Sequence, residues 1–433
     1  MKKLVLSLVL FTSLIGASFA ENFFAHRFFE IKLDVPVNVS NNLVSLTDIF
    51  QETAIIDLPQ IADNVSFNGA SIKAGASPSF GIKLDIPRGL ILGISVGAEA
   101  DVGIGLSKDL FEFLGHGNEN MKNKFNMSAS NTYADLFATA TLTGGWNTKK
   151  SKLEISGTAF NSIAHFDANE TGATIFLDDE NNKTSFEANV KANAYTAVKS
   201  EDISNVQALL NSINGNVGFD ISGKYQYDIF RFLTVGAQAR IPLAPSKMNV
   251  GYKIDYNIEK EFSFDELLGG SSDSDEEEDT TEVPKLEEEE ETEDNGILGA
   301  PIALKTPYAI HRPLKIGVSA NFHPFGTLLT TSGYVGLGFR HPFASAINKA
   351  NGGVDETKFY VDYSVEGRLS LWNILSLSLS HSYMDELFKN EMALAFNIRL
   401  VEVDAGVSFQ SPNFTKSFTG AGIGAFVTVC VGF

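Results

Sequence analysis

Cysteine is nearly absent from this chain: its 433 residues hold one, Cys430, so no internal disulfide can form. The fold must hold together without staples. Histidine is scarce too. None of the seven stands in an H-E-x-x-H or other compact ligand spacing, so no metal enzyme is expected. After residue 20 there is no run of about 18 uninterrupted apolar residues, so nothing in the chain crosses a bilayer as a helix. A membrane reading must rest on strands. Positive charge is also in deficit, with 33 Lys and Arg against 53 Asp and Glu and a formal net charge of -20, which argues against nucleic acid as a partner.

The deficit is local. Residues 271–294 carry 14 carboxylates and one lysine, 1 - 14 = -13, which leaves -20 + 13 = -7 for the rest of the chain. This acidic stretch, within residues 264–305, cannot bury enough apolar surface to fold and reads as a disordered loop. Asp273 and Asp275 faintly suggest the start of a calcium loop, but the glycine at the sixth position and the spaced final glutamate are wrong.

The start of the sequence has Lys2 and Lys3, an apolar run over 4–15 that is too short to span a bilayer, and Ser18, Phe19 and Ala20 before Glu21. Residues 1–20 therefore read as a secretory signal peptide. Residues 21–66 form an N-terminal segment with a first strand at 28–40, in which Pro36 favours an edge, an end or a bulge. In residues 43–65, Thr47 and Asp48 make a helix start and Pro59 would end the helix.

From residue 67 alternation of period two dominates. Leu90, Leu92, Ile94, Val96, Ala98, Ala100, Val102 and Ile104 alternate with small or acidic residues, Glu99 and Asp101 among them. This strand is long enough to cross a bilayer, and one strand over 69–85 precedes it through a short turn at 86–89. A short amphipathic helix is expected over 106–117, and another helical face recurs through Ile203, Val206, Leu209, Leu210 and Ile213. Leu314, Ile316, Val318, Ala320 and Phe322 alternate with polar or small residues, as do Phe359 to Leu369 and Leu375 to Leu379. The apolar phase flips near residues 400–401, as a tight turn would make it do.

A soluble sandwich also alternates, so the second face decides. Here it mixes small, polar and charged groups, and Phe325, Trp372 and Phe433 stand at strand ends. That is the signature of an all-β transmembrane antiparallel barrel, with about 14 strands and a range of 12 to 16. The short turns cannot all be kept on one side without merging or splitting a strand between Asp167 and Glu261. Gly93, Ser95 and Gly97 match the G-x-S-x-G elbow of serine hydrolases, but an unbroken strand cannot make that turn.

Arg240, Lys315, Glu366, Arg368, Arg399, Glu402 and Asp404 share the polar phase of their strands and are the candidate lumen-lining residues, either as a filling ion-pair network or as a selective constriction. In the last strand Ile423, Ala425, Val427, Val429, Val431 and Phe433 alternate with Gly422, Gly424, Phe426, Thr428, Cys430 and Gly432. A strand ending on an aromatic residue resembles the assembly signal of bacterial outer-membrane barrels, which implies Phe433 as that signal and the assembly machinery as a partner.

The run FFEIKLDVPVNVSNNLVSLTDIF at residues 28–50, HRPLKIGVSANFHPFG at 311–326 and the terminal aromatic resemble a family of spirochaete, especially treponemal, outer-membrane proteins similar to FadL-type long-chain fatty-acid transporters. The resemblance implies a 14-stranded barrel with an N-terminal hatch and sideways passage of hydrophobic molecules through the wall. Residues 21–63 would hold that hatch, although the Asn-Pro-Ala hatch motif is missing. The expectation is a non-enzymatic barrel in the bacterial outer membrane, in contact with its lipid, taking up small hydrophobic molecules, with no catalytic residue, cofactor or metal. A general diffusion porin and a surface adhesin acting through long loops are the alternatives.

Overall fold

A computed structural model describes residues 13–14, 27–43, 58–65, 69–116, 124–126, 132–178, 183–199, 216–263, 302–340, 342, 358–398 and 400–433. The segment read as a signal peptide lies outside these residues apart from Ser13–Leu14, a two-residue strand parallel to Gly75 and Ala76. So do the helix start at Thr47, the helical face at 203–213, Arg399 and the acidic stretch up to residue 301.

The elements run in chain order as β1 Phe29–Asn41, α1 Leu58–Asn64, β2 Ala70–Ala76, β3 Ser79–Asp85, β4 Leu90–Leu106, α2 Lys108–His116, β5 Lys124–Asn126, β6 Thr132–Asn147 and β7 Ser151–Asp178. They continue with β8 Lys183–Thr196, β9 Gly218–Phe230, β10 Leu233–Ala244, β11 Ser246–Ser263, β12 Ile302–Ile310, β13 Leu314–Phe322 and β14 Leu329–Arg340. The last are β15 Lys358–Leu371, β16 Leu375–Met384, β17 Leu387–Asn397, β18 Val401–Ser411 and β19 Gly422–Gly432.

Pairing closes a barrel of 14 antiparallel strands, in the order β1, β2 with β3, β4, β6, β7, β9, β10, β13, β14, β15, β16, β17, β18, β19 and back to β1. The count is the one expected from the sequence. The seam is β1 on β19, from Glu30 against Gly432 to Ser40 against Gly422. Phe29 N–H donates to the Phe433 carbonyl and Phe433 N–H to that of Phe29, both at 3.1 Å. Closure leaves no unpaired sheet edge for lipid to penalise.

Alternation then sorts the side chains. Ile94, Val96, Val318, Val335, Val365, Leu379, Val407, Ile423 and Val427 are exposed on the outer face, whereas Asp220, Asp362, Arg368, Asp404 and Thr428 are buried within. In a barrel of this kind the exposed apolar band is the surface that meets lipid. One end of the wall has only short turns, at 86–89, 148–150, 231–232, 323–328, 372–374 and 398–400, and Phe325, Trp372 and Phe433 stand exposed there.

The ambiguity between Asp167 and Glu261 has a structural origin. β7 is 28 residues long: its first half pairs with β9 in the wall, and its second half rises past the rim to pair with β8. β8 pairs with β11, and β11 with β12, so these strands form an extension at the long-loop end and do not belong to the wall. Alternation is the same in both settings, so the sequence reading could not separate them. Phe137, Phe160, Tyr195, Met248, Tyr308 and Ile310 pack into an apolar cluster at the junction.

Three expectations are corrected. Pro59 does not end a helix; it sits in the first turn of α1, where a missing N–H costs nothing. Residues 302–305, read as the end of the acidic loop, already belong to β12. Pro36 is neither at an edge nor at a strand end, but mid-strand in a closed wall.

Placing a charge on the lipid face should be far more costly than placing one in the lumen. Val335→Arg should lose about 2–4 kcal/mol of folding free energy in a bilayer, and Ser378→Arg far less. Urea titration of folded, heat-modifiable protein in vesicles measures both, and equal losses would contradict the assignment of faces.

Candidate functional site

The strand expected over 69–85 is interrupted. β2 and β3 both pair with β1 and β4 in one continuous register, Val37 against Ala76 and Asp34 against Ser79, but Ser77 and Pro78 between them belong to neither strand. Along β1 the bonded residues alternate. Phe29 N–H points to β19, while Asn42 N–H donates to the Ser71 carbonyl in β2 at 3.1 Å. Even-numbered residues of β1 therefore face β2 and β3, and the nitrogen of Pro36 faces Ser77. Ala98 N–H of β4 donates to the Pro78 carbonyl at 3.0 Å, so the nitrogen of Pro78 faces Ala98. Two prolines thus remove one ladder donor on each side of the same strand. Pro36 is tolerated in mid-strand because its neighbour is broken there. Gly97 allows the close approach of the two strands there, since a Cβ at that position would lie 2.6 Å from the Pro78 carbonyl oxygen.

Directly behind the break lies a cavity of about 290 Å³, bordered by Asn38, Gly75, Ser77, Glu99, Ala100 and Phe426 on that side and by Ser364, Ser378 and Ser380 on another. Ion pairs cross the lumen around it. Arg312, just before β13, donates to Glu99 in β4 and holds Asp220 in β9 at 2.5 Å. Arg340 reaches Asp101 at 3.2 Å and lies 4.5 Å from the centre of the Tyr133 ring. Buried charges are tolerable when paired and further hydrogen-bonded, and each of these arginines has more than one partner. Apolar Phe137, Met384 and Leu387 also line the cavity.

The sequence-predicted residues fall into two groups. Arg240, Lys315, Glu366, Arg368 and Asp404 line the cavity. Arg240 Nε donates to the Pro313 carbonyl at 2.9 Å, and Arg368 lies 3.1 Å from Glu366 and 4.0 Å from Asp404. Lys315 holds Asp385 at 2.9 Å. Glu402 lies apart, at the short-turn end, where Arg27 contacts it at 3.1 Å. Arg399 is outside the described residues. Phe433 stands at the seam, its ring 5.9 Å from that of Phe29. Of the segment proposed to hold a hatch, residues 29–41 are a wall strand.

Sequence reasoning missed Lys73, Arg312, Arg340 and Asp385. Arg312 and Asp385 lie in a loop and a turn, where no alternation marks a face, whereas Lys73 lies in mid-strand in β2. The break itself had a signal, Pro78 inside a predicted strand.

A profile described as a family of unknown function, DUF5723, matches residues 29–425, nearly the whole wall. The chain belongs to the DUF5723 family. No curated protein matches it. Among solved structures, the Pseudomonas putida toluene transporter TodX is similar at 8% identity, with 95% of this chain and 91% of that one covered and a TM-score of 0.46. A Pseudomonas aeruginosa FadL homologue is similar at 8% identity, 94% and 90% coverage and a TM-score of 0.44. The translocator domain of the autotransporter NalP from Neisseria meningitidis is similar at 6% identity, 94% and 90% coverage and a TM-score of 0.37. No function passes to the DUF5723 chain from likenesses this shallow.

In this DUF5723 chain Asp385 occupies the turn between β16 and β17, outside the strands. Burial works to raise its pKa, but Lys315 and then Arg340 outweigh it and hold the carboxyl below the usual carboxylate range. A depressed folded pKa gives stability that is present above the unfolded value and lost only as pH falls through the folded one. At about pH 4, where an exposed aspartate is half protonated, the turn should stay docked. A carboxyl carbon chemical shift of Asp385 that keeps its ionised value between neutral pH and about pH 4 checks this, and protonation in that interval would contradict it. Arg312→Ala should cost about 3–5 kcal/mol, because Asp220 is left as an uncompensated buried charge. Urea unfolding in vesicles measures it, and a loss below about 1 kcal/mol would show that the pair is solvated.

Proposed function

We propose that this protein is a bacterial outer-membrane barrel that passes small hydrophobic molecules passively, from the outside into the lumen cavity and then sideways through the wall beside Ser77, between β1 and the interrupted strand, into the bilayer. The observation that carries this reading is the interruption of the second wall strand by Ser77 and Pro78, on a ladder that already lacks two donors, with the cavity immediately behind it. A molecule that partitions into lipid can use such an exit, whereas a hydrated solute needs a continuous aqueous path. Ion pairs across the lumen stand against that path and hence against a general porin.

In this reading residues 1–20 direct export, the short-turn end faces the periplasm, and the long loops face outward. Phe433 serves as the signal for the assembly machinery. Arg240, Lys315, Glu366, Arg368 and Asp404 line the lumen cavity and set the width of the path; none acts as a catalyst. Spirochaete origin and FadL-type transport are the finer form of the same proposal, supported by the resemblance of residues 28–50 and 311–326.

The test is uptake of a small hydrophobic fluorophore into vesicles carrying the refolded chain. Pro36→Val together with Pro78→Val restores both ladder donors, and uptake should fall toward the protein-free rate; uptake unchanged by the pair would sink the side exit. Deleting Phe433 should lower the amount of heat-modifiable barrel in the outer membrane, and normal insertion would remove its assigned role.

A further inference from the structure

The long-loop end of the wall has one exception, the two-residue turn at Asp385 and Glu386 between β16 and β17. Both residues have left-handed backbone, φ 50° and 65°, the geometry of a type I′ turn that asparagine and glycine usually occupy. Two carboxylates stand there instead, and each has a partner on a distant part of the wall. Lys315 Nζ donates to both Asp385 carboxylate oxygens, at 2.9 and 3.1 Å. Lys73 Nζ donates to the Asp385 carbonyl at 3.3 Å and to Glu386 Oε2 at 3.1 Å. Asp362 Oδ1 accepts the Asp385 N–H at 2.9 Å.

Around the ring Lys73 belongs to the second wall strand, Lys315 to the eighth and Asp362 to the tenth, while the turn joins the eleventh and twelfth. A turn that reaches all three at once lies inside the barrel, over the lumen. Asp385, Met384 and Leu387 border the cavity, and Ser378 and Ser380 lie deeper along β16. The turn therefore caps the cavity on its long-loop side.

We propose that the turn of Asp385 and Glu386 is a movable gate over the outer mouth of the cavity, latched to the wall by Lys73 and Lys315. The inference rests on the transport reading for its purpose, but not for its test. Three features fit a gate. The tip is two residues that stand beyond the last wall pairs, Tyr363 with Tyr383 and Phe388 with Ser411, so they can move without breaking those pairs. Its latches are charge-assisted hydrogen bonds, which give a discrete docked state. Finally, Lys73 lies in β2, four residues before Ser77, so release of the latch removes a tie between the turn and the strand that carries the break.

The experiment uses the full chain refolded in lipid nanodiscs, with Cys430→Ser to remove the native thiol and Ser378→Cys as a reporter beneath the turn. A membrane-impermeant maleimide should label the reporter slowly in this background. Lys73→Gln and Glu386→Gln should each speed labelling about tenfold with heat modifiability unchanged, as expected when one charged hydrogen bond is lost. The reversed pair Lys73→Glu with Glu386→Lys should slow labelling again. Equal rates in background and variants would overturn the latch. No labelling of the background over hours, with variants labelled, would show a fixed plug and overturn the gate. Faster labelling in variants that take up no hydrophobic probe would leave the gate standing and remove the transport reading.

Discussion

Everything in this molecule depends on the pairing of β1 with β19. The reciprocal bonds between Phe29 and Phe433 join the two ends of the wall, and without them two bare strand edges would face hydrocarbon. Lipid cannot satisfy a backbone donor or acceptor, so the ladder has to be complete around the ring. That demand gives meaning to the place where the ladder is incomplete. Pro36 and Pro78 each lack a donor at this place, Pro36 towards Ser77 and Pro78 towards Ala98, so the interrupted strand loses one ladder bond on each side.

The interior answers to a different constraint. Its charges are many, and burial would be costly if they were single. They are compensated across the lumen: Arg312 with Glu99 and Asp220, Arg340 with Asp101, and Lys73 and Lys315 with the turn at Asp385 and Glu386. Glu99 stands opposite Ser77 in register, so the clamp on Glu99 also ties the edge of the break to the far wall. Break, cavity and gate thus share one lumen, crossed by separate ion pairs at each.

Much of the fold was legible in the sequence because a barrel wall writes its two faces in alternate residues. Leu92, Ile94 and Val96 against Gly93, Ser95 and Gly97 sufficed for β4, and the phase flip near residue 400 marked a real turn between β17 and β18. Alternation does not say which strands share a ring. β7, β8, β11 and β12 alternate as wall strands do, yet half of β7 and the other three stand beyond the rim. The candidate site was legible only in part. Arg240, Lys315 and Arg368 were reachable from phase alone, but Lys73 and Asp385 gain their meaning from strands nearly half a ring apart, and no local pattern records such a distance.

The central claim is that residue 77 lies where lumen and bilayer meet. Spin labels at Ser77, Val335 and Ser378 of the refolded chain in vesicles, tested for collision with lipid-soluble oxygen and with a water-soluble nickel chelate, examine it directly. The account predicts that Val335 meets oxygen alone, Ser378 the chelate, and Ser77 both. A label at Ser77 that meets only one of the two would contradict it.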